Sequence, residues 1–197
     1  MEQAPVDQDL AALLEHVLFH LQTSLAPYVA AQNAGARMTR LGLEVPTPEP
    51  AEIQLNDLAE LPFASLPAIR ILAESGEGKR TGTFGIQEAK CAFTLRVYVS
   101  SGQKMDRGEG GNVLSNTDTG TALWFKLAAL VQAVKLCMVE KLPGSQIASV
   151  GHGAISIEAP ETRWSNPGRD PRQAAWLQAA DITITAIQDQ SHMYGGE

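Results

Sequence analysis

Charge is scarce in this chain. Only 19 % of its 197 residues are Asp, Glu, Lys or Arg, against roughly a quarter in an average soluble domain. The charge present is lopsided, with 15 basic and 22 acidic side chains for a net of -7. General nucleic-acid binding needs clustered Lys and Arg to displace counterions from phosphate, so the acidic total excludes it. Aromatic residues are few, at 6 %, and there are two cysteines. Cys91 and Cys137 each sit in an apolar pattern and fit no metal-ligand spacing. They read as buried free thiols that pack as small hydrophobes, which suits a reducing cytoplasm. The opening Met1-Glu2-Gln3-Ala4-Pro5-Val6-Asp7 is acidic, where a secretory signal is basic. Long apolar runs are also missing. The longest, Ala122 to Val139, is broken by Lys126, Gln132 and Lys135, whereas a bilayer span needs about 20 mostly apolar residues. It reads as an amphipathic helix, and the expectation is a soluble protein without membrane contact.

Catalytic signatures are lacking too. Gly76-Glu77-Gly78-Lys79-Arg80 glances at a phosphate-binding loop, but Ala73 stands where that motif needs its first Gly and Arg80 where it needs Ser or Thr. A hairpin turn is the plainer reading. His16 and His20 place two imidazoles at i and i+4 on one helix face, a geometry zinc can use. Val17, however, occupies the position of the zinc-protease Glu. His152 and His192 are not tied to them by any spacing, and the pair reads as surface or helix-packing histidines. Gly151-His152-Gly153 lacks the third glycine of a dinucleotide fingerprint. No Gly-x-Ser-x-Gly elbow occurs, and Glu158 and Glu161 flank Pro160 as solvated residues. No catalytic residue, metal ligand or cofactor is therefore assigned, and the chain is not read as an enzyme.

What is present is 44 % apolar residues in two clear periods. Leu10, Leu13, Leu14, Val17, Leu18, Leu21 and Leu25 recur at helical spacing over 7–32. Asp7 or Asp9 can cap the start, Pro27 should kink or shorten the end, and Asn33 and Gly35 should stop it. Residues 33–66 are crowded with Pro46, Pro48, Pro50 and Pro62 and read as a long connection. That connection allows a strand around Arg40–Val45 and a helical turn around Leu55–Glu60. The period then becomes two. Ile69 and Ile71 share a face, and Phe93, Leu95, Val97 and Val99 alternate with Thr94, Arg96, Tyr98 and Ser100, as in a strand with one covered face. Residues 101–117 form a Gly-rich loop. A second helix over about 119–141 carries Leu123, Leu127, Leu130, Val131, Val134 and Met138, broadened by Trp124 and Phe125, and Pro143-Gly144 ends it. Strands follow at Ile147–Glu158 and Trp176–Gln188, joined by a proline-rich connection at 159–173, and the tail 190–197 looks frayed.

The expected fold is α+β. It is a single domain over 1–197, with a twisted, mainly antiparallel sheet of four to five strands and two helices packed on one face. Trp and Arg are enriched at the centre of protein interfaces. Arg163, Trp164 and Arg169 in the proline-rich connection, and Trp176 just after it, are therefore candidate subunit contacts. So are Lys104, Asp106, Arg107 and Glu109 of the Gly-rich loop.

The layout resembles tail terminator and neck (tail-completion) proteins of long-tailed bacteriophages. The likeness lies in the leading helix, the alternating strand ending at Phe93–Ser100, the Gly-rich loop, the helix Leu123–Val139 and the closing Trp176-Leu177-Gln178-Ala179-Ala180-Asp181-Ile182-Thr183-Ile184. It also extends to the phrasing of Leu66-Pro67-Ala68-Ile69 and Ala175-Trp176. It covers about 7–32 and 66–188. The resemblance implies a structural virion protein, a hexameric ring of identical copies at the head-proximal end of the tail. That ring would stop tail-tube polymerisation and meet the head–tail connector, with DNA only as passing cargo. It implies assembly in the host cytoplasm and residence at the tail–neck junction. Other readings are a tube, baseplate or head-completion subunit, or a small enzyme built around His16, His20 or His152.

Overall fold

The computed structural model describes residues 4–55, 66–81, 86–101, 116–143, 155–170 and 175–189. Helix α1 (Ala4–Asn33) buries Leu13, Val17, Leu21, Leu25 and Val29, four residues apart and each at most 1 % exposed. The helix passes through Pro27 instead of being kinked short there. An interior proline costs about 3 kcal/mol. Burying Leu25 and Val29 on either side returns about 1.5–3 kcal/mol each, so continuation wins. Asn33 ends the helix as expected. Its side-chain amide donates to the Val45 carbonyl (2.9 Å) and accepts from the Val45 N–H (3.0 Å), tying down the chain that follows.

A second, short helix α2 (Ala36–Leu41) occupies the start of the segment read as a connection. Gly42 closes it in the left-handed region (φ 62°), with Gly42 N–H on the Thr39 carbonyl and Leu43 N–H on the Met38 carbonyl, the Schellman arrangement that glycine favours. Arg40 and Leu41 therefore belong to a helix and not to a strand over 40–45. The strand of this segment is β1 (Ile53–Leu55), after a 3-10 turn at Pro50–Glu52. Of the helical turn expected at Leu55–Glu60, Leu55 lies in β1 and the rest is outside the described residues.

The sheet is completed by β2 (Ala68–Thr81), β3 (Ile86–Ser100), β4 (Ile155–Ile157), β5 (Glu161–Trp164), β6 (Gly168–Asp170) and β7 (Ala175–Asp189). Its order is β1-β2-β3-β7-β4, with β5 and β6 also on β7. Only β1–β2 is parallel. The three short strands share one edge of β7: Ile157 faces Ala186, Thr162 faces Ile182 and Arg169 faces Trp176. They line up end to end along that edge, so the described sheet has seven strands, more than the four to five expected, ranged in five positions across.

One sheet face is apolar. Ile69, Ile71, Cys91, Phe93, Leu95, Val97, Ile182, Ile184 and Ala186 are fully buried on it. Helix α1 lies over β1 and β2, and helix α3 (Asn116–Lys141) over β3 and β7. The segment Gly120–Lys141 is long and apolar enough to cross a bilayer by length and composition. Here it is the core helix, with Leu123, Leu127, Leu130, Val134 and Met138 at 0 % exposure. Both cysteines are buried, and neither is in a disulfide. The opposite sheet face carries polar side chains. Thr94 donates to the Glu74 carboxylate and pairs with Thr183 (3.1 Å), and the β2–β3 register slips by one residue at Glu74, between Ala73 and Ser75, as at a β-bulge.

Candidate subunit interface

The interface candidates in the proline-rich connection fall on the β7 edge of the sheet. Prolines 160, 167 and 171 break that segment into pieces too short for an alternating pattern, yet an edge strand needs only its backbone to pair. Glu161–Trp164 and Gly168–Asp170 do so. Arg163 is exposed and pairs by backbone with Asp181, and Trp164 pairs with Ala180. Ser165 fixes the exit from β5. Its N–H and its hydroxyl both donate to the Ala179 carbonyl (3.0 and 2.9 Å), and its oxygen accepts from the Ala179 N–H (3.0 Å).

Trp164 is 44 % exposed and stands 6.0 Å, ring to ring, from Trp124 of α3, itself 42 % exposed. Trp124 also meets Phe125 edge-on at 5.3 Å. Two half-exposed tryptophans in contact make an amphipathic, rigid patch of the kind that anchors interfaces. Sequence reading had Trp124 broaden the apolar face at the start of its helix, beside the core stripe. Helical position does not single it out, since Val131, seven residues on and on the same flank of the helix, is buried while Trp124 is exposed.

Beside the patch a groove of about 330 Å³ opens between β3, β5 and β7, lined by Arg96, Tyr98, Arg163, Trp164, Ser165 and Asp181 among others. The Arg96 guanidinium grips Asp181 with two bonds, Nε–Oδ1 at 2.7 Å and Nη2–Oδ2 at 3.1 Å. Its pKa is pushed up chiefly by that hydrogen-bonded fork, so the guanidinium stays charged. Trp176 lies about 13 Å along β7 from Ala180, half-buried against the core. Its N–H donates to Ser101 Oγ (3.0 Å) and its carbonyl accepts from the Ser101 N–H (2.9 Å). Arg169 is its backbone partner on β6. The structure thus brings Arg163 and Trp164 to one spot and Arg169 and Trp176 to a second on the same edge. Lys104, Asp106, Arg107 and Glu109 lie outside the described residues.

The opposite edge of the sheet is β1. It covers only Ile69–Ile71 of β2, and its own Gln54 and Leu55 are exposed. Beside it, Gln22 of α1 donates to the carbonyls of Pro50 and Ile53 (both 3.0 Å), and the buried Arg70 donates to the Glu52 carbonyl (2.5 Å). The short edge is held rigidly against the body.

No protein-family model matches the sequence. No curated protein matches it either. Among solved structures, the chain is similar to a chain in the virion of a native gene transfer agent particle. The identity is 13 % and the TM-score 0.38, covering 82 % of this chain and 91 % of that one. A likeness of that degree does not define a function.

Proposed function

We propose that this protein is a structural virion subunit that closes a ring at the head-proximal end of a phage tail, where it ends tube polymerisation and presents a surface to the head connector. The observation that carries the reading is a pair of unlike sheet edges, open among the described residues: exposed Gln54 and Leu55 on β1, and the Trp124–Trp164 patch with Arg163 on β5. Unlike patches on opposite sides of a subunit make head-to-tail contacts, and such contacts close into rings when the rotation permits. Among the described residues the helices cover one sheet face only, which leaves the polar face, with Arg96, Asp181 and Thr183, for a neighbour or for the tail tube. The layout that resembles tail terminators supports the same reading, in which the chain acts by shape and not by catalysis, needs no cofactor, and partners with its own copies, the tube protein and the connector. Purified protein mixed with tail tubes tests the assignment. Electron micrographs should show the protein at one end of each tube, with tube growth halted. Tubes that elongate unaffected, with no protein at their ends, would overturn it.

A further inference from the structure

The imidazoles of His16 and His20 are two metal-ligating side chains in contact, and the ring proposal makes no use of them. Their Nε2 atoms are 3.0 Å apart and their rings meet edge-on with centroids at 4.4 Å. Both are half-exposed, on a helix whose neighbouring Leu13, Val17 and Leu21 are buried at 0–1 % exposure. The backbone that carries them is therefore fixed by the core, while the ring tips reach solvent.

We infer that His16 and His20 form a two-imidazole chelate for a divalent late transition metal, Cu²⁺ before Ni²⁺ and Zn²⁺. The 3.0 Å separation is that of a hydrogen bond between the two rings; a metal that displaces its proton and binds both nitrogens at about 2.0–2.1 Å closes an N–metal–N angle of about 94° at that separation. That is the cis angle of square-planar or octahedral coordination, which Cu²⁺ and Ni²⁺ favour, and it is narrower than the tetrahedral angle zinc prefers. Two nitrogen donors in this geometry rank the ions in the same order, since copper binds N/O sites most tightly of the divalent series. Among the described residues no cluster of three or more His, Cys, Asp or Glu includes the pair, so the two imidazoles are the ligands the inference assigns. Burial lowers the pKa of both rings, keeping them in the neutral form that binds metal. The groups facing them from α3 are Cys137 and Lys141. The buried Cys137 thiol is turned to the His20 carbonyl, 3.9 Å away, and joins no cluster of metal ligands among the described residues. The Lys141 ammonium lowers the His20 pKa and opposes a bound cation in the same way.

The test uses the untagged full-length protein with CuCl₂, NiCl₂ or ZnCl₂ alone at pH 7.5. Titration calorimetry should give one Cu²⁺ per chain, and electron paramagnetic resonance should show coupling to two imidazole nitrogens. His16→Gln or His20→Gln should each weaken Cu²⁺ binding at least about tenfold, while the His152→Gln/His192→Gln double variant should leave it unchanged. Lys141→Gln should strengthen it severalfold. A Cu²⁺ concentration about a hundred times Kd should raise the thermal midpoint by about 5 °C or more. Absence of bound copper at about 100 µM, copper binding that survives loss of both His16 and His20, or tighter binding of Zn²⁺ than Cu²⁺ would each overturn the inference. Circular dichroism of the variants separates loss of ligand from loss of fold. None of these readouts depends on ring assembly.

Discussion

Trp164→Ala should weaken self-association far more than it weakens the fold. A fully exposed tryptophan presents up to about 250 Å². At 44 % exposure, Trp164 therefore offers a neighbour about 110 Å² of mostly apolar surface. At about 25 cal/mol per Å², covering that area contributes about 2.7 kcal/mol, or about two orders of magnitude in Kd for each contact. The fold loses the stack on Trp124, worth about 0.5–1.5 kcal/mol, together with the area that Trp164 already buries. Sedimentation velocity over a concentration series of about 0.1–100 µM reads the association, and urea unfolding at the dilute end reads the monomer. Trp124→Ala should act in the same direction, and the double variant should weaken association by less than the sum, because the two rings are in contact. If Trp164→Ala shifts Kd by less than about threefold while the monomer stays folded, the patch is not part of the contact.

Phe93→Ala, at the centre of the covered sheet face and 0 % exposed, should cost about 3–5 kcal/mol through lost burial and the cavity left behind; urea unfolding of the dilute monomer reads it. Stability should depend on pH through His16 and His20. Both have folded-state pKa values lowered from 6.5, so the unfolded chain takes up protons first on acidification. Stability from this source is fully present above about pH 6.5 and is lost as pH falls below it. The urea midpoint should drop from pH 7.5 to 5.5, and the His16→Gln/His20→Gln double variant should show a shallower drop. Cys137, with its thiol pushed up to about 11 by burial, should resist alkylation at pH 8 in the folded protein and react on unfolding. Mass spectrometry of native and urea-treated samples distinguishes the two.

The parts of the fold legible in the sequence are those in which a side chain's period reports burial. Phe93, Leu95, Val97 and Val99 announce β3 because one sheet face is covered and the other is polar. The stripes of α1 and α3 announce helices because each lays one face on that sheet. The edges were not legible. β5 exposes most of its side chains on both faces and is held by backbone bonds to β7, so Glu161–Trp164 carries no alternation to read. β1 contributes one buried side chain, Ile53, which is too little for a pattern. In α2, the alternation of Arg40 to Val45 suggested a strand, but Gly42 at positive φ was the better signal, a helix stop. The same division applies to the candidate site. Trp164 and Arg163 could be suspected from residue type alone. Their partner Trp124 could not, because contact between α3 and an edge strand about forty residues away in sequence depends on the packing of the helix on the sheet.

The most direct measurement is the mass and outline of the purified particle in solution, by light scattering coupled to size exclusion and by negative-stain class averages. Closure through unlike sheet edges predicts a single discrete species whose mass is a whole-number multiple of the 21.1 kDa chain, with six copies expected, and a ring with a central opening. A stable monomer at about 100 µM, or an open filament without closure, would contradict it.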